Sequence, residues 1–388
     1  RLENTSLGLL SAAIEYDAFS RPWRTTHRNL AAGQILVGER TYDSQGRETQ
    51  RTLMTGSQTF TVSHTWHGDD QLQRRVLSLD GSDLLDESFY YDRRGRLQRH
   101  TCSGSQLPQD RHGNRIVEQV FTYDVLNNVD RCITTFFDDS DDRAKHNYST
   151  SDPCQLVEIS HTHESYATLE TFEYDADGNL LNDHQGSVLR YDSLGRLLSI
   201  SLAADETRYF YDGHGELIGS TRGSDNPEIR FHAGYQYHHQ IGGDTTYALY
   251  ANGELVGLAS TESETSARLV LTNAIGSVIA HIRASETATL AYSAYGESDQ
   301  ALAETLGYCG EAREPGGWYL LGRGYRAYNP ALRRFNRPDT LSPFDGGGLN
   351  PYGYCEGNPV KFHDPSGHLR EVPDYYYPPP PPPEPDPP

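Results

Sequence analysis

Basic charge, methionine and long apolar runs are all scarce in this chain. Its 388 residues carry 33 Lys plus Arg against 54 Asp plus Glu, a formal charge of −21. An acidic surface repels phosphate, which argues against nucleic acid or an anionic membrane as the main partner. No stretch approaches the roughly 18 to 20 apolar residues of a spanning helix, so direct membrane insertion is not expected. One Met and few apolar runs do not suit a helical bundle, whereas 26 Tyr suit the faces of amphipathic strands. The five cysteines, Cys102, Cys132, Cys154, Cys309 and Cys355, are odd in number and form no CxxC pair. That disfavours a disulfide framework and a zinc knuckle and predicts reduced, packed thiols. The sequence opens at Arg1 without an initiator Met, a charged n-region or an apolar h-region. A fragment or processed product is expected, with no export signal readable at this end.

What the chain does contain is a repeated phrase. Tyr91-Asp92-Arg93-Arg94-Gly95-Arg96-Leu97 sets the pattern, and copies start at Tyr42, Tyr174, Tyr191 and Tyr211; degenerate ones start at Tyr16, Trp66 and Tyr123. The phrase reads as a hairpin. Asp accepts backbone N–H bonds at the first turn position, two permissive residues follow, and Gly takes a positive φ as part of a G1 bulge. In the copy at Tyr123, Asn127 replaces that Gly, and Asn best tolerates the left-handed conformation after Gly. The early copies start 26, 24 and 25 residues apart, a period at which each unit is covered by its neighbours in a quasi-one-dimensional sheet. Between Tyr123 and Tyr174 the period breaks, and this expected insert, near residues 125–170, includes the acidic run Asp138 to Asp142, read as a surface loop. Asn252-Gly253 predicts a tight type I′ turn, and Asn273-Ala274-Ile275-Gly276 a looser one.

From Leu320 to His368 the character changes. The stretch is crowded with Gly, Pro, Asn and Tyr and needs a surrounding surface to hold it. Two Asp residues sit at its punctuation points, Pro338-Asp339 and Asp364-Pro365, 25 positions apart and separated by Gly346-Gly347-Gly348. Read alone, each is a turn residue more often than a catalyst.

The Tyr-Asp phrases resemble the YD repeats of the Rhs family. The pieces YSAYGE, LGRGYRAYNP, RFNRPDTLSPF, GGGLNPYGYC and NPVKFHDPSG resemble its repeat-associated core, in the version found in Tc toxin C components and type VI effectors. The resemblance implies an all-β fold: a strand-turn-strand sheet over residues 1–290 forming part of a hollow spiral shell, closed by a turn-rich core domain over 291–368, with a proline-rich linker over 369–388. It implies an encapsulating component of an exported bacterial toxin, completed by a preceding shell segment or a Tc B-like subunit and enclosing a C-terminal toxin cargo. The implied chemistry is intramolecular aspartyl autoproteolysis, a single-turnover activity at most, near Gly367, His368 and Leu369. Two facing carboxylates do not both ionise comfortably, so one serves as acid while the other activates water. Asp339 and Asp364 fall to these roles, and Arg326, by its place in GYRAYNP, to a supporting charge. Where many relatives carry an apolar residue, this chain has His368.

A contrasting expectation is a structural or adhesive YD-repeat chain of teneurin type, without proteolysis. Cofactors and metal are expected to be absent. His161-Thr162-His163 puts two imidazoles on one face of a strand and Tyr237-His238-His239 adds two more, yet no third ligand has convincing spacing. The glycine run lacks the Lys-Ser/Thr of a phosphate loop, and no GxSxG elbow occurs. Pro378 to Pro383 predict a polyproline II spacer.

Overall fold

The computed structural model describes residues 4–30, 32–234, 236–242, 245–260, 267–283, 286–298 and 306–372. The proline-rich spacer lies outside the described residues. Among them the architecture is almost wholly antiparallel β. Fourteen strands from Asn4–Leu7 to Leu169–Thr171 form one sheet, eleven from Val188–Tyr191 to Thr287–Thr289 a second, and Tyr319–Leu320, Arg326–Asn329 and Arg334–Phe335 a small third. Each strand of the two large sheets pairs with its neighbours in sequence, and the linear order leaves neither sheet closed as a barrel. The stretch 125–170, where the repeat phrase lapses, continues the first sheet through Val129–Phe136, Asp141–Tyr148 and Leu156–Ser160. The bridges Tyr174↔Leu180 and Asn182↔Val188 then lead into the second sheet.

The repeat phrase builds its hairpin as its residue types require. At Asp92 the Gly95 N–H donates to the Asp92 carbonyl at 2.9 Å and Gly95 takes φ 78°. The Asp92 carboxylate accepts the N–H groups of Arg94 at 2.8 Å and Arg96 at 3.1 Å through Oδ1 and the Arg96 Nε at 2.7 Å through Oδ2. The register shifts between Tyr90 and Tyr91, the bulge expected from the turn. Asn127, standing where Gly would, takes φ 66°. Asn252 and Gly253 take φ 51° and 81°, as a type I′ turn requires.

Tyrosine has a job beyond covering the sheet. Its hydroxyl donates to the carbonyl of the residue that enters the strand after the preceding turn: Tyr91 to Leu72 at 2.8 Å, Tyr123 to Leu97 at 2.7 Å, Tyr148 to Val129 at 2.8 Å, Tyr211 to Leu197 at 3.0 Å and Tyr292 to Val278 at 3.0 Å. Each of these tyrosines thereby clasps its hairpin to the one before it, whereas the buried Tyr191 hydroxyl makes no such bond.

Inner faces of the two large sheets meet in one apolar cluster, in which Leu10, Leu36 and Phe60 join Leu249, Val256 and Leu269. Charge is buried there in matched sets: Arg51 lies 2.9 Å from Glu48 and 3.4 Å from Glu254, with Arg40 3.3 Å from Glu48. The terminal segment packs on both sheets. Tyr295, Tyr308, Tyr328 and Tyr354 join Phe89, Leu97 and Phe121 of the first, while Trp318 and Leu320 join Leu189, Leu197 and Tyr209 of the second. A segment with little regular structure is thus held by the walls around it.

Candidate functional site

Arg326 opens the middle strand of the small sheet and is 2% exposed. Its guanidinium sits 3.6 Å over the Phe335 ring, a cation–π contact that fixes the plane of the group. Nη1 donates to the Pro351 carbonyl at 2.9 Å. Nη2 lies 3.1 Å from Asp339 Oδ2 and 3.5 Å from Asp364 Oδ2, and Nε donates to the carbonyl of Gly367. One buried cation therefore touches both Asp residues expected from the sequence and the backbone at the expected junction.

The backbone explains how these groups meet. Gly322 and Arg323 take left-handed φ of 63° and 53°, turning the chain sharply just before Arg326. A Cβ on Gly322 would come within 2.0 Å of the Ser366 carbonyl oxygen, and the Gly322 N–H donates to the Pro365 carbonyl at 3.1 Å. The junction is thus laid flat on this turn. From the other side the Asp339 N–H donates at 2.9 Å to the same Pro351 carbonyl that Arg326 engages.

One positive charge faces two buried carboxylates, so the two are driven apart in protonation. Burial pushes Asp364 up to about 6, against the opposing pull of Arg326 and of the Ser366 hydroxyl, while the Asp339 charge adds to the rise. Burial acts upward on Asp339 too but is outweighed by the hydrogen bond with His368, the Arg326 charge and the Leu341 N–H, and Asp339 is held below the ordinary carboxylate range. Burial draws the Arg326 guanidinium down while both carboxylates support it. Below about pH 6 the outcome is one carboxylate and one carboxylic acid on either side of a guanidinium, the division of labour that acid–base catalysis needs. Asp339 Oδ2 is close enough to Arg326 for an ion pair yet accepts no aligned hydrogen bond.

Three contributors were not singled out from the sequence. Ser366 donates to Asp364 Oδ1 at 3.2 Å and accepts the N–H groups of His368 at 3.1 Å and Leu369 at 3.0 Å. Tyr325 stacks on His368 with ring centroids 3.7 Å apart and reaches Thr340 at 2.9 Å. Phe335 carries the guanidinium. All three lie inside the quoted motifs; what the motifs did not reveal is which atoms face which. His368, expected only as a junction residue, places Nδ1 2.6 Å from Asp339 Oδ1.

Elsewhere the expected constellations resolve into packing. His161 follows the end of its strand and pairs with Asp142 at 2.7 Å. His163 lies 3.1 Å from Ser140 and 2.8 Å from Ser165, so the two imidazoles do not share a strand face. Asp142, expected in a surface loop, is buried in a strand. His238 and His239 contact each other at 2.7 Å. Donor atoms of Glu87, His100 and Cys102 lie within 4.8 Å of one another, but Arg75, 2.7 Å from Glu87, already supplies a neutralising charge. The five cysteines are free thiols.

A teneurin YD-shell family model matches residues 106–237. Among curated proteins the chain is 27% identical over 287 residues to the tRNA3(Ser)-specific nuclease WapA of Bacillus spizizenii and 27% identical over 297 residues to the tRNA nuclease WapA of Bacillus subtilis. Each match covers 68% of this chain and only 11% of the relative's length. Among solved structures, TcdB2-TccC3 aligns with a TM-score of 0.56 at 18% identity, over 92% of this chain and 22% of that one. A Tc holotoxin pore of Photorhabdus luminescens aligns with a TM-score of 0.56 at 17% identity, over 93% and 21%. Fold and comparisons together define an open YD-repeat β-shell. More narrowly, residues 106–237 match the YD-shell model, and the fold of the chain resembles that of Tc toxin components.

Proposed function

We propose that this chain is an encapsulating shell component of an exported bacterial toxin, and that its terminal segment cuts the Gly367–His368 bond to free a C-terminal cargo. The observation that carries the reading is Arg326, which holds Asp339, Asp364 and the Gly367 carbonyl on a single guanidinium. Asp339, the ionised partner, takes a proton from water as its oxygen attacks the Gly367 carbonyl carbon. Arg326 stabilises the oxyanion that forms, and Asp364 gives its one proton to the departing His368 nitrogen; the new Gly367 carboxylic acid then returns a proton to Asp364, and Asp339 passes the proton it took from water to the His368 amine. The C–N bond breaks, leaving a Gly367 carboxylate and a His368 amine. Because the bond belongs to the catalyst itself, each chain reacts once. A partner that completes the shell, a preceding segment or a Tc B-like subunit, fits a chain that spans 21–22% of the Tc neighbours. The nuclease names belong to relatives matched over 11% of their length, and a charge of −21 does not suit RNA.

The test is intact mass under denaturing conditions, on this chain and on one extended by a folded cargo. Wild type yields two pieces meeting between Gly367 and His368, and Asp339→Asn or Asp364→Asn yields one. Cutting that survives both substitutions would overturn the dyad. The teneurin-shell match favours a second reading, a structural or adhesive chain in which the same triad only pins the segment. A persistently uncut wild type selects it.

A further inference from the structure

The chain beyond the proposed cut is fastened residue by residue to the part before it. His368 bonds Asp339 and stacks on Tyr325. Leu369 lies flush on Gly346, where an added Cβ would stand 2.2 Å from its Cδ2. Arg370 pairs with Glu356 at 3.0 Å and covers the Phe362 ring at 4.3 Å. Glu371 exchanges two backbone hydrogen bonds with His363, 2.7 Å as donor and 3.1 Å as acceptor. Four consecutive residues thus each have a separate holdfast, on three different stretches of the terminal segment. None of these contacts needs the Gly367–His368 bond.

We propose that residues 368–371 are an anchor, and that the groove formed by Asp339, Tyr325, Gly346, Glu356, Phe362 and His363 is a binding site for the new N-terminus. Cutting and letting go are then separate events: hydrolysis breaks the covalent link while the released piece stays seated. The site accepts a basic, apolar-spaced peptide beginning His-Leu-Arg, read by a carboxylate at each basic position and an edge backbone at the fourth residue. It rests on the cutting reading above.

The test compares denaturing with native mass spectrometry on the full chain after cutting. Denaturing spectra give two pieces, and native spectra are expected to give one particle containing both. Arg370→Ala combined with Glu371→Pro removes the ion pair, the ring contact and the N–H donated to His363, without touching the dyad. That variant is expected to be cut at the same bond, giving two denaturing masses of which only the C-terminal one is shifted by the substitutions, with the native particle losing the piece that begins at His368. Loss of the piece from the parent, or its equal retention by the double variant, overturns the anchor. Should denaturing spectra show a single uncut chain, the cutting reading fails and amide exchange decides the anchor by itself. Leu369 and Glu371 amides are expected to exchange at least about 100-fold more slowly than in a free peptide, and exchange at the free rate overturns the proposal.

Discussion

Asp364 offers the most direct probe of the site, because one substitution separates its electrostatics from its chemistry. Its carboxyl is held at about 6 against 3.8 for a free Asp, chiefly by burial. A folded pKa raised above the unfolded value means that the native state binds the proton more tightly. The stabilisation is therefore fully present below 3.8 and is lost as pH rises through about 6. Two units at about 1.4 kcal/mol each give about 3 kcal/mol, enough to appear as a lower melting temperature or faster amide exchange around residues 364–367 at pH 7.5 than at pH 4.5. Under the proposed cutting mechanism the same shift would set the cutting rate. Asp364 must be protonated to serve as acid, so the rate should fall about tenfold per unit above pH 6, to about 1% of its plateau at pH 8. Asp364→Asn keeps the shape of the side chain, removes its titration and removes the acid. It should show no loss of local stability between pH 4.5 and 7.5 from this group and no cutting at any pH. A wild-type rate as high at pH 8 as at pH 5, or a pH dependence of local protection shared equally by the Asn variant, would refute the assignment of acid and base.

The remaining predictions address the turn, the walls and the clasp. Gly322→Ala should slow cutting severely and leave the two large sheets folded, since its Cβ meets the Ser366 carbonyl oxygen at 2.0 Å; circular dichroism and denaturing mass follow the two effects separately. His27 and His64 are buried between the sheets and held to about 4, mainly by burial. Folded values below the unfolded 6.5 give stability that is present above 6.5 and lost as pH falls through 4, about 3 kcal/mol for each. His64→Phe should therefore shrink the drop in melting temperature between pH 7 and pH 4. Tyr91→Phe removes the hydroxyl bond to Leu72 and should cost about 1 kcal/mol, whereas Asp92→Ala, which strips two N–H bonds and an Arg partner from one turn, should cost about 2 kcal/mol or more.

The hairpins were legible because the phrase encodes them locally. Asp, two permissive residues and Gly satisfy their own backbone, and Asn127 obeys the same rule by tolerating a positive φ. Copies without the tyrosine, such as Asp110 to Gly113 and Asp183 to Gly186, use the same turn but escape a search keyed on Tyr-Asp. The buried charges were not legible. Glu48, Arg51 and Glu254 are ordinary surface residues by type, and only the meeting of strands about 200 positions apart makes them partners. The site divides the same way. Asp339, Asp364 and Arg326 were accessible through the motifs, but the sharing of one guanidinium between two carboxylates and a peptide carbonyl arises from long-range packing against Phe335 and the Gly322 turn.

The tyrosine clasps also set how such a wall can change in length. Each of these hydroxyls reaches back to the turn immediately before it, so a duplicated hairpin pair brings its own fastening and preserves the inside-outside alternation of every strand that follows. Insertion of whole units enlarges the space behind the wall without redesigning its lining, whereas insertion of an odd single residue within a strand turns the downstream faces inside out. On the proposed encapsulating role, capacity is then a matter of counting hairpins, and the volume of what could be carried becomes a heritable integer rather than a continuous property of the sequence.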